Sequence, residues 1–215
     1  MAYHHADEEQ LEEFKAFWRK HGNTILTIVT VVLIAVAAWR GWSWYEANRS
    51  ARAAAVYDQL KVAVETGDAE RIRSAAQVLR DDFPGTAYAR MGALVAAHAQ
   101  AVAESNDSAS ENLRWVVEEG DDQVFVLVAR LRLASILIEQ EAWDEARRVL
   151  DVEVPPAFAG LYADRRGDIA MAQGRADEAR EAWTKALESL GPATSIARLV
   201  QLKLDSLGSA AGTGS

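Results

Sequence analysis

The sequence contains no cysteine, only four prolines and only four histidines. Without cysteine, disulfide bonds, thiol nucleophiles and cysteine-ligated zinc or iron–sulfur sites are excluded. Basic residues are also scarce, because 23 lysines and arginines are set against 32 aspartates and glutamates, for a formal net charge of −9. A nucleic-acid-binding protein needs a basic face, so this balance argues against a nucleic-acid partner.

Motifs of catalysis and of cofactor binding are lacking as well. His4 and His5 are adjacent but have no further ligands around them, and the acidic stretch 118–122 lacks the spacing of a calcium-binding loop. No glycine-rich phosphate loop is present. We therefore predict no catalytic residue, no cofactor and no metal site, and a protein that is not an enzyme.

One long stretch lacks charge altogether. Residues 22–39 contain no charged residue, and as a helix they would span roughly 27 Å, close to the ~30 Å hydrocarbon thickness of a bilayer. Aromatic side chains flank the stretch, and amphipathic rings favour the headgroup region. We predict a short N-terminal segment over 1–21 and a transmembrane helix over 22–45. Residues 10–20 of the first segment fit an interfacial helix, and a stub of the membrane helix would give the same pattern. The predicted membrane-interface residues are Trp18, Trp39, Trp42, Trp44 and Tyr45.

A cleavable signal peptide is the main alternative for this region. Basic residues precede the apolar stretch, and Ala35-Val36-Ala37 has the small-x-small form of a cleavage site. An acidic leader and the aromatic cluster after Ala38 favour an anchor that is retained, although whether cleavage occurs stays open. Three basic residues on each side of the stretch leave the orientation undecided by charge.

The composition after residue 45 predicts an all-α domain over 46–207, followed by a flexible Gly/Ser-rich tail over 208–215. Glycine, proline and Asn-Asp breakers separate amphipathic segments of helical periodicity. The predicted helices are 46–66, 69–82, 86–104, 108–119, 122–140, 143–151, 157–173, 176–190 and 193–207.

Pairs of short helices match the tetratricopeptide pattern, in which two small residues, one on each helix, allow close packing beside a large residue. The last pair fits fully, with Gly167, Ala179, Trp183 and Ala186, and Gly174 at the turn. The first-helix positions Leu60, Ala97, Ala134 and Gly167 are 37, 37 and 33 residues apart. A generic domain of helical hairpins remains the alternative. The earlier pairs contribute Ala134, Ala146 and Leu150, and Ala97, Ala109 and Leu113.

The order of these segments resembles a known family. An acidic start leads through residues 14–23 into a single apolar helix closed by Trp39-Arg40-Gly41-Trp42-Ser43-Trp44-Tyr45, and an Ala-rich repeat domain follows. Residues 131–134, 163–168 and 174–183 continue the likeness. Except for the tail, the chain resembles the YfgM-type ancillary subunit of the bacterial SecYEG translocon, a tetratricopeptide-like α-solenoid with an N-terminal membrane anchor.

The resemblance implies a single-pass inner-membrane protein with a cytoplasmic N-terminus and a periplasmic repeat domain. It also implies association with SecYEG and with the periplasmic chaperone PpiD, in the handling of unfolded client proteins that are secreted or placed in the envelope. An envelope scaffold for cell-wall or division complexes and a single-pass signalling adaptor are the alternatives.

Stacked helical hairpins expose a concave surface formed mainly by the first helix of each pair. We predict that this surface binds a protein segment through mixed polar contacts. Its candidate residues, expected to be exposed, are Arg90, Arg130, Arg132, Asp164 and Arg165.

Overall fold

A computed structural model of the chain describes the backbone of residues 3–191 and 194–212, and the side chains of residues 15, 17–191 and 194–207. All regular structure within these residues is α-helical. The helices are α1 (Tyr3–Thr66), α2 (Ala69–Asp82), α3 (Ala87–Val102), α4 (Asn106–Glu119), α5 (Gln123–Glu139), α6 (Trp143–Leu150), α7 (Pro156–Ala172), α8 (Ala176–Ser189) and α9 (Ser195–Gly212).

Two compact units divide the chain, Met1–Ala51 and Arg52–Ser215, and the second is called the repeat domain below. In the repeat domain, α3 packs against α4, α5 against α6 and α7 against α8, while α3, α5 and α7 also contact one another in order. Its core is built largely of small residues, because alanines such as Ala97, Ala134 and Ala179 let neighbouring helices approach closely.

The first unit is helical throughout its described part. Most of the apolar side chains described there are solvent-exposed, as at Leu26, Ile34 and Trp39, and none of them belongs to a core formed by the described residues. The helical segment Phe17–Thr66 contains a stretch that is long and apolar enough to cross a membrane, and no second such segment occurs among the described residues.

The helix prediction was wrong at two places. Where a transmembrane helix over 22–45 and a second helix over 46–66 were expected, one continuous helix α1 runs to Thr66, and residues 10–20 are part of it, as in the alternative of a stub of the membrane helix. No proline occurs before Pro84, and the isolated Gly22 and Gly41 each cost a helix only about 1 kcal/mol. At the other end, α9 continues to Gly212, into the segment expected to be a flexible tail, because Ala210 and Ala211 favour helix after Gly208. Residues 213–215 of that tail lie outside the described residues.

Candidate interaction surfaces of the repeat domain

The close contact of the last repeat joins Gly167 of α7 to Trp183 of α8. A Cβ atom on Gly167 would lie 2.4 Å from both Cδ1 and Nε1 of the Trp183 indole, so no larger residue fits there without a shift. Trp183 is only 3% exposed. Its Nε1 donates hydrogen bonds of 3.2 Å to the backbone oxygen of Asp164 and to Oδ1 of Asp168. This tryptophan therefore fills the space beside a small residue and ties two helices together.

The other predicted repeat residues also lie inside the domain. The side chains at the small and large positions are all at most 3% exposed. The buried set comprises Ala97, Ala109, Leu113, Ala134, Ala146, Leu150, Ala179, Trp183 and Ala186.

Each hairpin turn contains one residue in the left-handed conformation, a regularity that the sequence analysis missed. These residues are Gly67, Glu104, Glu141 and Gly174, with φ between 58° and 74°. They are 37, 37 and 33 residues apart and each follows a first-helix position by seven residues. In each turn, the residue after the left-handed one donates its backbone N–H to the carbonyl oxygen five residues earlier in the chain. In the last turn Arg175 donates to Ala170 at 2.9 Å. This is the closure by which helices commonly end on glycine. In the sequence, only the spacing of the repeats indicates that Glu104 and Glu141 occupy the turn position that glycine occupies in the other two hairpins.

Replacing Glu104 or Glu141 by glycine is expected to raise the free energy of unfolding by about 1 kcal/mol each. Both glutamates are exposed, and glycine relieves the steric cost of the left-handed conformation. Thermal unfolding of the full chain in detergent measures the effect. The exposed Gln77 lies inside α2, so Gln77→Gly should destabilise by a similar amount. Destabilisation by Glu104→Gly would contradict the role assigned to this turn.

The predicted binding residues do not form one exposed surface. Arg90 is only 8% exposed, pairs with Asp121 at 2.5 Å and lies over the Phe125 ring at 5.8 Å. Asp164 is only 4% exposed. Their expected exposure was therefore wrong, because each side chain is held by neighbours inside the repeat domain.

The remaining three arginines bind other parts of the domain. Arg130 donates from Nη1 to the backbone oxygen of Val149 at 2.9 Å, and Arg132 donates to that of Leu94 at 3.1 Å. Arg165 pairs with Asp168 at 2.6 Å. Only Arg132 is exposed, while Arg130 and Arg165 are half-buried. A guanidinium group carries several donors, which suits it to bind carbonyls and carboxylates of neighbouring helices. Helical periodicity alone did not reveal these contacts.

Asp164 takes part in a charged cluster that connects α7 to α9. Lys203 Nζ lies 2.7 Å from Oδ1 of Asp164 and 2.5 Å from Oδ1 of Asp168. The same ammonium group lies 5.6 Å from the centre of the Trp183 ring. Burial raises the pKa of the Asp164 carboxyl above its ordinary value of 3.8, and the hydrogen bond from Lys203 opposes that rise. The cluster is thus a partly buried ion pair that holds the last helix.

A cleft of the repeat domain shares only α7 with the predicted surface and contains none of its five residues. It has a volume of about 880 Å³ and is lined by residues of α6, α7 and α8. Five of its lining residues are basic and four are acidic, a balance of +1 in a chain of net charge −9. We call it the charged cleft. Its charged residues are Asp144, Arg147, Arg148, Asp151, Arg166, Arg175, Glu178, Glu181 and Lys185.

Most cations of the charged cleft have acidic partners. Arg147 pairs with Asp144, Arg175 with Glu178, and Lys185 with Glu181. Arg166 instead donates to the backbone oxygen of Leu150 at 2.9 Å. Arg148 is exposed and forms no ion pair or hydrogen bond with another side chain in the described part of the chain. The cleft therefore offers one guanidinium group without an ion pair among the described residues, beside polar groups that can exchange partners.

The first unit carries the five predicted membrane-interface residues. Their side chains are all more than half exposed, with Trp42 and Tyr45 in ring contact at 6.3 Å between centroids. Among the residues that the structure describes, no group of three His, Asp or Glu side chains is arranged to hold a metal ion. His4 and His5 lie outside the residues whose side chains are described.

Comparisons with known proteins agree with this architecture. The tetratricopeptide repeat-like domain family matches residues 15–209. The chain is 30% identical over 209 residues to a Neisseria gonorrhoeae protein named ancillary SecYEG translocon subunit, covering 96% of this chain and 100% of the relative. Proteins of the same name from Haemophilus influenzae and Escherichia coli are 25% and 24% identical, over 88% and 96% of this chain and 92% and 99% of theirs. The apolar helix, the repeats and these full-length matches agree: the chain belongs to the tetratricopeptide repeat-like family of ancillary SecYEG translocon subunits.

Proposed function

We propose that this protein is a non-catalytic, membrane-anchored subunit of the SecYEG translocon that binds other polypeptides through its repeat domain. The observation that carries the proposal is the match along the full length of the Neisseria gonorrhoeae relative, which includes the apolar helix as well as the repeats. A match to the repeats alone would support only a protein-interaction domain. Together, anchor and repeats support a subunit that works beside a membrane channel.

The binding partners in this proposal are SecYEG, a PpiD-type periplasmic chaperone and unfolded chains that leave the translocon. The charged cleft supports binding of a polypeptide segment, because its ion pairs are exposed and the guanidinium group of Arg148, which forms no ion pair among the described residues, can bind a carboxylate. Exposed ion pairs contribute little to stability, so exchanging them for contacts with a partner costs little. The +1 balance of the cleft favours an acidic or mixed-charge segment.

The expected result for Arg148→Glu is a several-fold loss of recovered partner when the full chain is purified from membranes after crosslinking. Charge reversal places a carboxylate where the partner's acidic group would bind. Arg73→Glu is the matched control, since Arg73 is an exposed arginine on α2 whose ion pair is with Glu70. Equal recovery of SecYEG and chaperone with both variants would remove the charged cleft from the proposal. Recovery of division or cell-wall complexes instead of translocon subunits, already with the unmodified chain, would overturn the proposed function.

The proposed topology places the N-terminus in the cytoplasm and the repeat domain in the periplasm. Protease added to spheroplasts is expected to degrade the repeat domain and to leave a small protected fragment that contains residues 22–45. A cytoplasmic protein that stays intact serves as the control for membrane integrity. Protection of the repeat domain until detergent is added would reverse the orientation.

A further inference from the structure

Two apolar surfaces lie on the first and the last helices of the repeat domain, where a solenoid has no neighbouring repeat of its own. In a repeat array each hairpin covers the apolar face of the next, so terminal repeats need a polar outer face to stay monomeric. Here the groove between α1 and α2 and one face of α9 are apolar instead. We call them the first-hairpin groove and the α9 stripe.

The first-hairpin groove is a cavity of about 590 Å³. Its apolar lining is Val56, Val62 and Ala63 from α1 and Ala75 and Val78 from α2. Val62 is 55% exposed, a large fraction for a valine within a helical hairpin. Ala63 is buried in the core beside Leu60 and Leu79, and Val56 and Ala75 pack against that core, so the groove is the partly exposed outer edge of the same apolar cluster.

The α9 stripe consists of Ile196, Leu199 and Leu202, which follow one another every three residues and share a face of the helix. Leu199 is 51% and Leu202 is 65% exposed. The other face of α9 is already used, because Ala197 and Val200 are buried in the core of the repeat domain. The last helix therefore has two apolar faces, of which only one is covered within the chain.

We infer that the α9 stripe of one copy of this chain docks into the first-hairpin groove of a second copy, a head-to-tail contact. The two surfaces match in length, since Ile196 to Leu202 spans about 9 Å along a helix and Val56 to Ala63 spans about 10 Å. A helix with apolar residues at such spacing is the usual occupant of an apolar groove between helices.

Charge at the borders of the two surfaces favours the same occupant. The groove is bordered by Asp58 and Arg71, and the α9 stripe is flanked by the exposed Arg198 and Asp205. Each surface thus presents one carboxylate and one guanidinium to the other. Asp58 pairs with Lys61 and Arg71 with Asp68, but all four side chains are at least 37% exposed, so these pairs can be exchanged across an interface.

The contact is small, so it is expected to be weak between freely diffusing molecules. An apolar helix that confines both copies to one membrane would raise their effective concentration. Because the docking surface differs from the docked surface, the contact is heterologous and extends into rings or rows rather than stopping at a dimer. The inference does not rest on the proposed translocon function, since it needs only two copies of the chain.

Disulfide trapping in membranes tests this pairing, and the cysteine-free sequence gives no background. Full-length chains with Val62→Cys and with Leu199→Cys, carrying tags of different size, are expressed singly and together, and the membranes are oxidised. We expect a disulfide-linked pair of both tags only when the chains are expressed together. Glu118→Cys, exposed on α4, replaces Leu199→Cys in the control pair and should give at least tenfold less product.

A second substitution separates docking from random collision. Leu202→Asp added to the Leu199→Cys chain should reduce the mixed product at least tenfold while the chain accumulates to its normal level. Absence of mixed product from chains that accumulate normally would overturn the inference. So would mixed product that persists with Leu202→Asp, or dimers that form equally well from either cysteine chain alone.

Discussion

Replacing Trp183 by alanine is expected to lower the free energy of unfolding of the repeat domain by about 3–5 kcal/mol. The indole is almost fully buried against Gly167 and gives both of its hydrogen bonds to α7. Alanine would leave a cavity that the glycine cannot fill, because glycine has no side chain to move into it. The loss combines the transfer free energy of the indole with the unfilled volume.

Thermal unfolding of the detergent-solubilised chain, followed by circular dichroism, measures this loss. Trp44→Ala is the matched control, because Trp44 is 71% exposed in the first unit and should leave the unfolding of the repeat domain unchanged. An unchanged melting temperature for Trp183→Ala would mean that the pairing of Gly167 with Trp183 does not hold the last repeat.

Replacing Lys203 by methionine is expected to cost about 3 kcal/mol, the second large effect. Methionine keeps much of the side-chain volume but removes the positive charge between Asp164 and Asp168. The almost completely buried Asp164 would then lose its ion-pair partner, and only the pair of Asp168 with Arg165 would remain. Because Lys203 is 21% exposed, water screens part of this ion-pair interaction, which places the estimate at the lower end of the range for buried pairs.

The pH dependence of that loss identifies its cause. Burial raises the pKa of Asp164 in the folded state above the ordinary 3.8, so the folded chain binds this proton more tightly than the unfolded chain does. The contribution of protonated Asp164 to stability is therefore present at low pH and is lost as the pH rises through the folded-state pKa of this carboxyl. Since Lys203 lowers the pKa of Asp164, Lys203→Met should raise that pKa further.

The loss in free energy of unfolding caused by Lys203→Met should therefore become smaller as the pH falls from 7 toward 4. Urea unfolding of the variant and the unmodified chain at several pH values measures it. Asp164→Asn in the same chain should recover part of the loss at pH 7. If the loss in free energy of unfolding does not change with pH, it comes from altered packing and not from the removed charge.

The sequence predicts the packing of the last repeat well, because Gly167, Ala179 and Trp183 lie on two helices that are consecutive in the chain. Contacts between consecutive helices follow from spacing once the hairpin is recognised. The arginine assignments could not be predicted in this way. Arg132 binds a carbonyl 38 residues away, and Lys203 binds carboxylates 35 and 39 residues away. Such contacts depend on how hairpins stack, which helical periodicity does not encode.

The polar bonds between repeats bear on how the domain loses its structure. Tyr162, whose pKa burial raises to about 12, donates from its hydroxyl to the backbone oxygen of Leu127 at 3.1 Å, in addition to the bond from Arg132 to Leu94. In a linear array with weak interfaces, terminal repeats fray independently. Here, separating α3 from α5 or α5 from α7 breaks one of these side-chain bonds as well as the packing between the helices, so the cost grows with each interface opened. The domain should accordingly melt in one cooperative transition, so that a partner pulling on one hairpin meets the resistance of the whole stack.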